Sequence, residues 1–106
     1  TTLDELIKKF GEPKYIKIDA EGFEHEVILG LTKKSGIISF EFTSEFIEDA
    51  FKSIDYLISL GYLDFNYSLG ERKKFSSNWS NAIQIKSEIK QHIINDSLLW
   101  GDLYAK

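Results

Sequence analysis

Cysteine and methionine are absent from the 106 residues, and proline occurs once, at Pro13. Without cysteine there is no disulfide, no thiolate metal site and no thiol nucleophile, which fits a reducing, cytoplasmic setting. No apolar run approaches the roughly 20 residues of a membrane-spanning helix, and no basic-then-apolar leader opens the chain. Basic residues are in deficit, 13 against 17 acidic ones for a net charge of −4. They are scattered in short pairs such as Lys33-Lys34 and Lys73-Lys74, so the broad basic face that a nucleic-acid backbone requires is not expected. A glycine-rich phosphate loop is missing too, as is any Ser-His-Asp spacing.

What is present suits a packed core: 42% hydrophobic residues, of which aromatics make up 14% of the chain, in one domain or a piece of one. Thr2 to Glu5 has the capping-box spacing. Leu3, Leu6, Ile7 and Phe10 then form a helical stripe, stopped by Gly11 and Pro13. Residues 15–20 read as a buried strand and 23–31 as a helix, with "IISFEF" (37–42) as a second strand. Ser44 is placed to cap a long helix through Ile58, ended by Gly61. Beyond Gly61 the period becomes two. Leu63, Phe65 and Tyr67, and later Ile83 and Ile85, read as two half-buried strands joined by a loop at 68–80. Ser87 is then expected to cap a closing helix through Ile93, followed by an irregular tail at Leu98 to Trp100.

The expected order is therefore α β α β α β β α. Its strand-helix-strand unit at 15–42 makes a right-handed parallel crossover, and its last two strands lie antiparallel at one sheet edge. Ligands of open parallel sheets bind beyond the carboxyl ends of the strands. Asp19 and Glu21 sit just past the first strand and Glu41 near the end of the second, so three carboxylates converge on one rim.

Two readings of Asp19 and Glu21 stay open at this level. They stabilise the amino end of the next helix, with Gly22 easing the turn, or they face a ligand. Clustered carboxylates raise one another's pKa, as a general base needs, or share a divalent cation. Glu41, between Phe40 and Phe42, is costly in an apolar strand unless it finds a partner or an opening. Glu24 and Glu26 read as a solvated helix face, His25 and His92 as helix-surface residues, and Phe40, Phe42, Phe46 and Phe51 as core. Trp79 and Asn78 line a substrate mouth or pin their loop.

At "TLDEL…YIKIDAEGFEHEVILGL…ISFEF" the chain resembles FkbM-type methyltransferases. The residues that carry the likeness are Ile18, Asp19, Glu21, Gly22, Gly30, Leu31 and Glu41. Ala20 stands where the family usually has Val. The likeness covers residues 2–42; beyond them only the order of elements fits.

The resemblance implies an α/β fold: the C-terminal half of a class I, Rossmann-like methyltransferase sheet. That sheet is mostly parallel with an antiparallel edge strand and has helices on both faces. It implies S-adenosylmethionine as cofactor and O-methyl transfer to the hydroxyl of a small molecule. Asp19, Glu21 and Glu41 would be catalytic, Asp19 and Gly22 would border the cofactor, and no metal is required. A metal-assisted variant would use Asp19 and Glu41 as ligands.

Residues 1–106 would be a single partial domain that lacks the cofactor-loop half and is inactive alone. A non-catalytic interaction module is the competing expectation; a metal-dependent phosphotransfer domain is disfavoured by the missing basic clamp. Deprived of its neighbour, the strand at 15–20 has an open edge, so a homodimer through residues 2–20 is expected.

Overall fold

The structure, a computed structural model, describes residues 1–72 and 74–106. Helix α1 (Leu3–Phe10) starts where the Thr2 hydroxyl accepts the Glu5 N–H at 3.1 Å, and ends where the Gly11 N–H reaches the Ile7 carbonyl. Strand β1 (Tyr15–Ile18), helix α2 (Glu24–Leu29) and strand β2 (Ile37–Thr43) form the expected parallel crossover. Helix α3 (Ile47–Ser59), strand β3 (Phe65–Leu69), helix α4 (Ala82–Asn95) and strand β4 (Trp100–Ala105) complete the chain.

The sheet order is β1-β2-β4-β3. Strand β4 runs antiparallel to both neighbours, so two of the three ladders are antiparallel. This corrects two expectations. The sheet is not mostly parallel in its pairing, and its antiparallel strand lies inside, not at an edge.

The order of elements is also corrected. Residues 82–95, expected to begin as a strand, form a helix whose first turn is capped by Asn81, its side-chain oxygen accepting the Gln84 N–H at 2.9 Å. Ala82, Ile85 and Ile89 give that helix its buried stripe. The supposed tail is β4, which sits centrally because Gly101, Leu103 and Ala105 turn a compact buried row toward the core. A Cβ on Gly101 would lie 2.1 Å from the Ser68 carbonyl oxygen, so only glycine fits there.

Ser44 is not the helix cap. It opens a 3₁₀ turn (Ser44–Phe46), and its hydroxyl donates to the Ser97 carbonyl at 2.5 Å, tying the end of β2 to the α4–β4 connection.

Successive strand residues point to opposite faces, and here the two faces differ in kind. Ile18, Ile38, Phe40, Phe42, Phe65, Tyr67 and Leu103 face one way. They share a single core with Ile28 of α2, Ile54 and Leu57 of α3, and Ile85 and Ile89 of α4, while Leu3 and Ile7 of α1 pack against it. The helices thus cover one face, not both as expected. The other face carries Tyr15, Lys17, Ser39, Glu41, Asp102 and Tyr104, and a polar face needs no apolar layer. Its β3 end is roofed by the loop after Leu69: the Phe75 ring meets Tyr104 edge-on at 4.9 Å, and Asn66 donates to the Ser77 carbonyl at 2.9 Å.

Tyr62 closes the bottom of the core. Its hydroxyl accepts the Ser35 N–H at 3.0 Å and donates to the Gly36 carbonyl at 2.8 Å.

Candidate functional site

Strand β1 stops at Ile18, two residues short of the expected end. The chain then reverses through a turn in which the Ala20 carbonyl accepts the Phe23 N–H at 3.1 Å. Its central residues Glu21 and Gly22 have φ of 46° and 99°, the positive pair of a type I′ turn. Gly22 adopts this freely. Glu21 does so at a cost of about 1 kcal/mol, and it is the one non-glycine residue with positive φ among the described residues.

Glu24 holds the turn in place. One of its carboxylate oxygens accepts the Ala20 N–H at 3.0 Å and the other the Gly22 N–H at 3.0 Å. The reading of Glu24 as merely solvated is therefore corrected: it is the clamp of the turn. The signal was available in its position, since an acidic residue in a helix's first turn can reach back to unpaired amides. Phe23, which precedes it, offers no side-chain cap.

With that duty taken by Glu24, Asp19 and Glu21 are left exposed. No hydrogen bond or ion pair reaches either carboxylate among the described residues. Glu41 finds the opening that its place in β2 demanded, on the polar face. Directly across the antiparallel ladder stands Asp102. Asp102 is not visible from the sequence pattern, in which the segment around Trp100 reads as an irregular tail.

Partial burial pushes the Glu41 carboxyl above its usual range, and the charges of Asp102, Glu24, Asp19 and Glu21 push it further. Asp102 is raised as well, by burial, with Lys17 pulling it back and Asp19 adding to the rise. These carboxylates feel one another through the same rim.

Between the amino ends of α2 and α3, above the carboxyl ends of β1 and β2, lies a cavity of about 310 Å³. Glu21, Gly22, Glu24, His25, Glu41 and Asp49 bring polar groups to it, and Phe40, Phe42 and Phe46 supply apolar wall. Phe46, expected in the core, is 56% exposed and belongs to this mouth. Asp19 stands beside the cavity, not in its lining. A second, more open hollow shares Glu41, Thr43 and Glu45 with it and extends to Leu99 and Trp100.

His25 is half-buried and also lines the cavity, its Nδ1 2.8 Å from the Ser53 hydroxyl. His92 and Trp79 lie elsewhere. His92 Nε2 is 3.1 Å from the Tyr67 hydroxyl. Trp79 packs edge-on to Phe75 with the Lys106 ammonium 4.3 Å from its ring centre, so it pins its loop. Among the described residues no group of three or more His, Asp or Glu is arranged to hold a metal ion.

A family model described as the methyltransferase FkbM domain matches residues 1–69, which include the turn, strands β1 and β2 and the cavity. No curated protein and no solved structure matches the chain. A match over more than half of the chain, which takes in the strand-turn-helix that builds the rim, settles its affiliation: this chain belongs to the FkbM methyltransferase family.

Proposed function

We propose that the cavity is the methyl-acceptor side of an S-adenosylmethionine-dependent O-methyltransferase site, and that the chain supplies the C-terminal half of the catalytic domain. The observation that carries this reading is the rim itself. Among the described residues Asp19 and Glu21 have no hydrogen-bond or ion-pair partner, and Glu41 is shifted toward holding a proton, all three at the carboxyl ends of adjacent parallel strands. The donor set fits the cationic end of such a cofactor, since the wall is carboxylate and aromatic. When bound, that cofactor supplies an activated methyl group. Asp19 and Gly22 would border it.

This chain's residues would do the rest. The carboxylates orient an acceptor hydroxyl or take its proton, and Phe46 narrows the mouth against water. No glycine-rich strand-loop-helix occurs in the sequence. The expected result of calorimetric titration of the chain with S-adenosylmethionine is therefore weak binding or none. Tight, stoichiometric binding would overturn the half-site assignment.

A second copy of the chain is the partner we assign to the edge of β1. Ile37 N–H pairs with the Lys14 carbonyl, so by the alternation of a parallel ladder Ile16 and Ile18 also face β2. The amides of Tyr15 and Lys17 then face outward. Antiparallel pairing of two such edges about Ile16 sets each Lys17 against the other copy's Tyr15 and avoids a Lys17–Lys17 contact. Leu6 and Phe10 of α1 are both exposed and, four residues apart, share one face of that helix. The opposite edge, β3, is already blunted by hydrogen bonds from Ser76 and Ser80.

A further inference from the structure

The two histidines of the chain are held in opposite ways, and the hydrogen bonds around each decide where its proton sits. Ser53, at the buried base of the cavity, has its hydroxyl 3.1 Å from the Asp49 carbonyl one turn back in α3. A carbonyl can only accept, so the hydroxyl proton goes to Asp49. The same oxygen lies 2.8 Å from His25 Nδ1. With its own proton committed, it must accept there, which puts a hydrogen on Nδ1. A neutral imidazole carries one N–H, so Nε2 is left as an unprotonated lone pair. No protein group engages Nε2 among the described residues.

At His92 the logic is reversed. Tyr67 donates its proton to the Glu88 carboxylate at 2.9 Å, so its oxygen accepts from His92 Nε2.

We propose that His25 is the proton acceptor of the cavity, fixed by Ser53 in the tautomer that leaves Nε2 bare for a bound hydroxyl. This rests on the methyltransferase reading for the identity of the ligand, and it names the group that takes the proton. The acceptor's O–H bond breaks and its proton passes to Nε2, giving imidazolium. The oxygen forms its bond to the methyl carbon, and the electron pair of the old carbon–sulfur bond leaves with the sulfur of the sulfonium donor. Glu21, Glu24 and Glu41 border the same cavity with Glu45 and Asp49 and are placed to orient the bound hydroxyl. Ser53 is a positioning residue: it acts through its hydrogen bond to His25.

The test begins on the chain alone, labelled with nitrogen-15, at about pH 8.5, some two units above the reference pKa of ~6.5 for histidine. With only two histidines, long-range proton–nitrogen spectra separate their ring nitrogens. His25 is expected to show a protonated Nδ1 and an imine-type Nε2, and His92 the opposite. In Ser53→Ala the His25 pattern should move toward the free-imidazole mixture while His92 stays fixed. A protonated Nε2 at His25 in the wild type, or no response to Ser53→Ala, overturns the proposal.

These spectra are recorded with no methyl donor, so they judge His25 separately from the methyltransferase reading. In the enzyme that contains this domain, His25→Ala should lower kcat about 100-fold with little change in KM, and added imidazole should restore part of the loss. Wild-type turnover in His25→Ala would overturn the proton-acceptor role even if methyl transfer itself is observed.

Discussion

Replacing Glu24 by alanine removes the clamp from the turn that presents Glu21. Two hydrogen bonds from backbone amides to a carboxylate are lost, at Ala20 and Gly22, each 3.0 Å long. Buried, each charged hydrogen bond would contribute about 1.5–3 kcal/mol. Here the Gly22 contact is exposed and water replaces it readily. The loss then resembles that of a helix cap, about 1 kcal/mol, with roughly 0.5 kcal/mol more for a negative charge at the amino end of α2.

Relief of the repulsion between Glu24 and Glu41 works in the other direction. A net cost of about 1–1.5 kcal/mol follows, which in a domain of this size lowers the melting temperature by roughly 4–12 °C. Glu24→Gln keeps one acceptor oxygen and should cost about half as much. Glu26→Ala is the control, because no hydrogen bond reaches Glu26 among the described residues. Thermal melts followed by circular dichroism measure all three, and amide exchange at Ala20 and Gly22 reports the turn directly. If Glu24→Ala melts with Glu26→Ala and leaves both amides protected, the clamp is refuted.

The Glu41–Asp102 pair gives a pH-dependent prediction. A carboxyl whose folded pKa is raised favours the fold below its unfolded pKa, and that contribution is lost as pH rises through the folded value. Glu41→Gln should therefore stabilise the chain at pH 7, by roughly 0.2–1 kcal/mol for a like-charged cross-strand pair. The gain should fade as pH falls below the ordinary carboxylate range; urea melts at pH 7 and pH 4 that show no such difference would contradict the pairing. Gly101→Ala drives a Cβ into the Ser68 backbone and should destabilise the fold by about 3 kcal/mol, read from a urea midpoint; a wild-type midpoint would mean that β4 lies elsewhere. Light scattering should find a dimer that Lys17→Pro dissolves, since proline removes an outward-facing amide of the β1 edge while the Ile16 and Ile18 amides keep their bonds to β2; a wild-type monomer at high concentration would dismiss the pairing of β1 edges.

The first half of the chain was legible because its signals are local and agree. The Thr2 cap, the Leu3/Ile7 stripe, Gly11 and the apolar run before Asp19 each point to the element observed. The second half misled for physical reasons. Ile83-Gln84-Ile85 alternates over three residues, yet Ile83 is 82% exposed and Ile85 is buried because both sit on a helix. Strand β4 hides its buried row in Gly101 and Ala105, residues with no strand preference of their own, and so Asp102 went unseen.

At the rim, Asp19, Glu21 and Glu41 could be placed from strand ends alone. The clamp by Glu24 depends on two consecutive positive φ angles, and the role of His25 on a serine in another helix. The first has only a partial local sign, an acidic residue in the first turn of α2; the second has none.

The measurement that bears most directly on the central claim is turnover of the rim variants in the enzyme that carries this domain. Transfer of a labelled methyl group from S-adenosylmethionine to a hydroxyl acceptor should fall about 100-fold or more in Asp19→Asn and Glu21→Gln, in line with loss of a proton-handling or orienting group. The melting temperature should change little, because neither carboxylate holds a hydrogen bond among the described residues. Turnover at the wild-type level in both variants would contradict the account and leave the rim carboxylates without a part in the reaction.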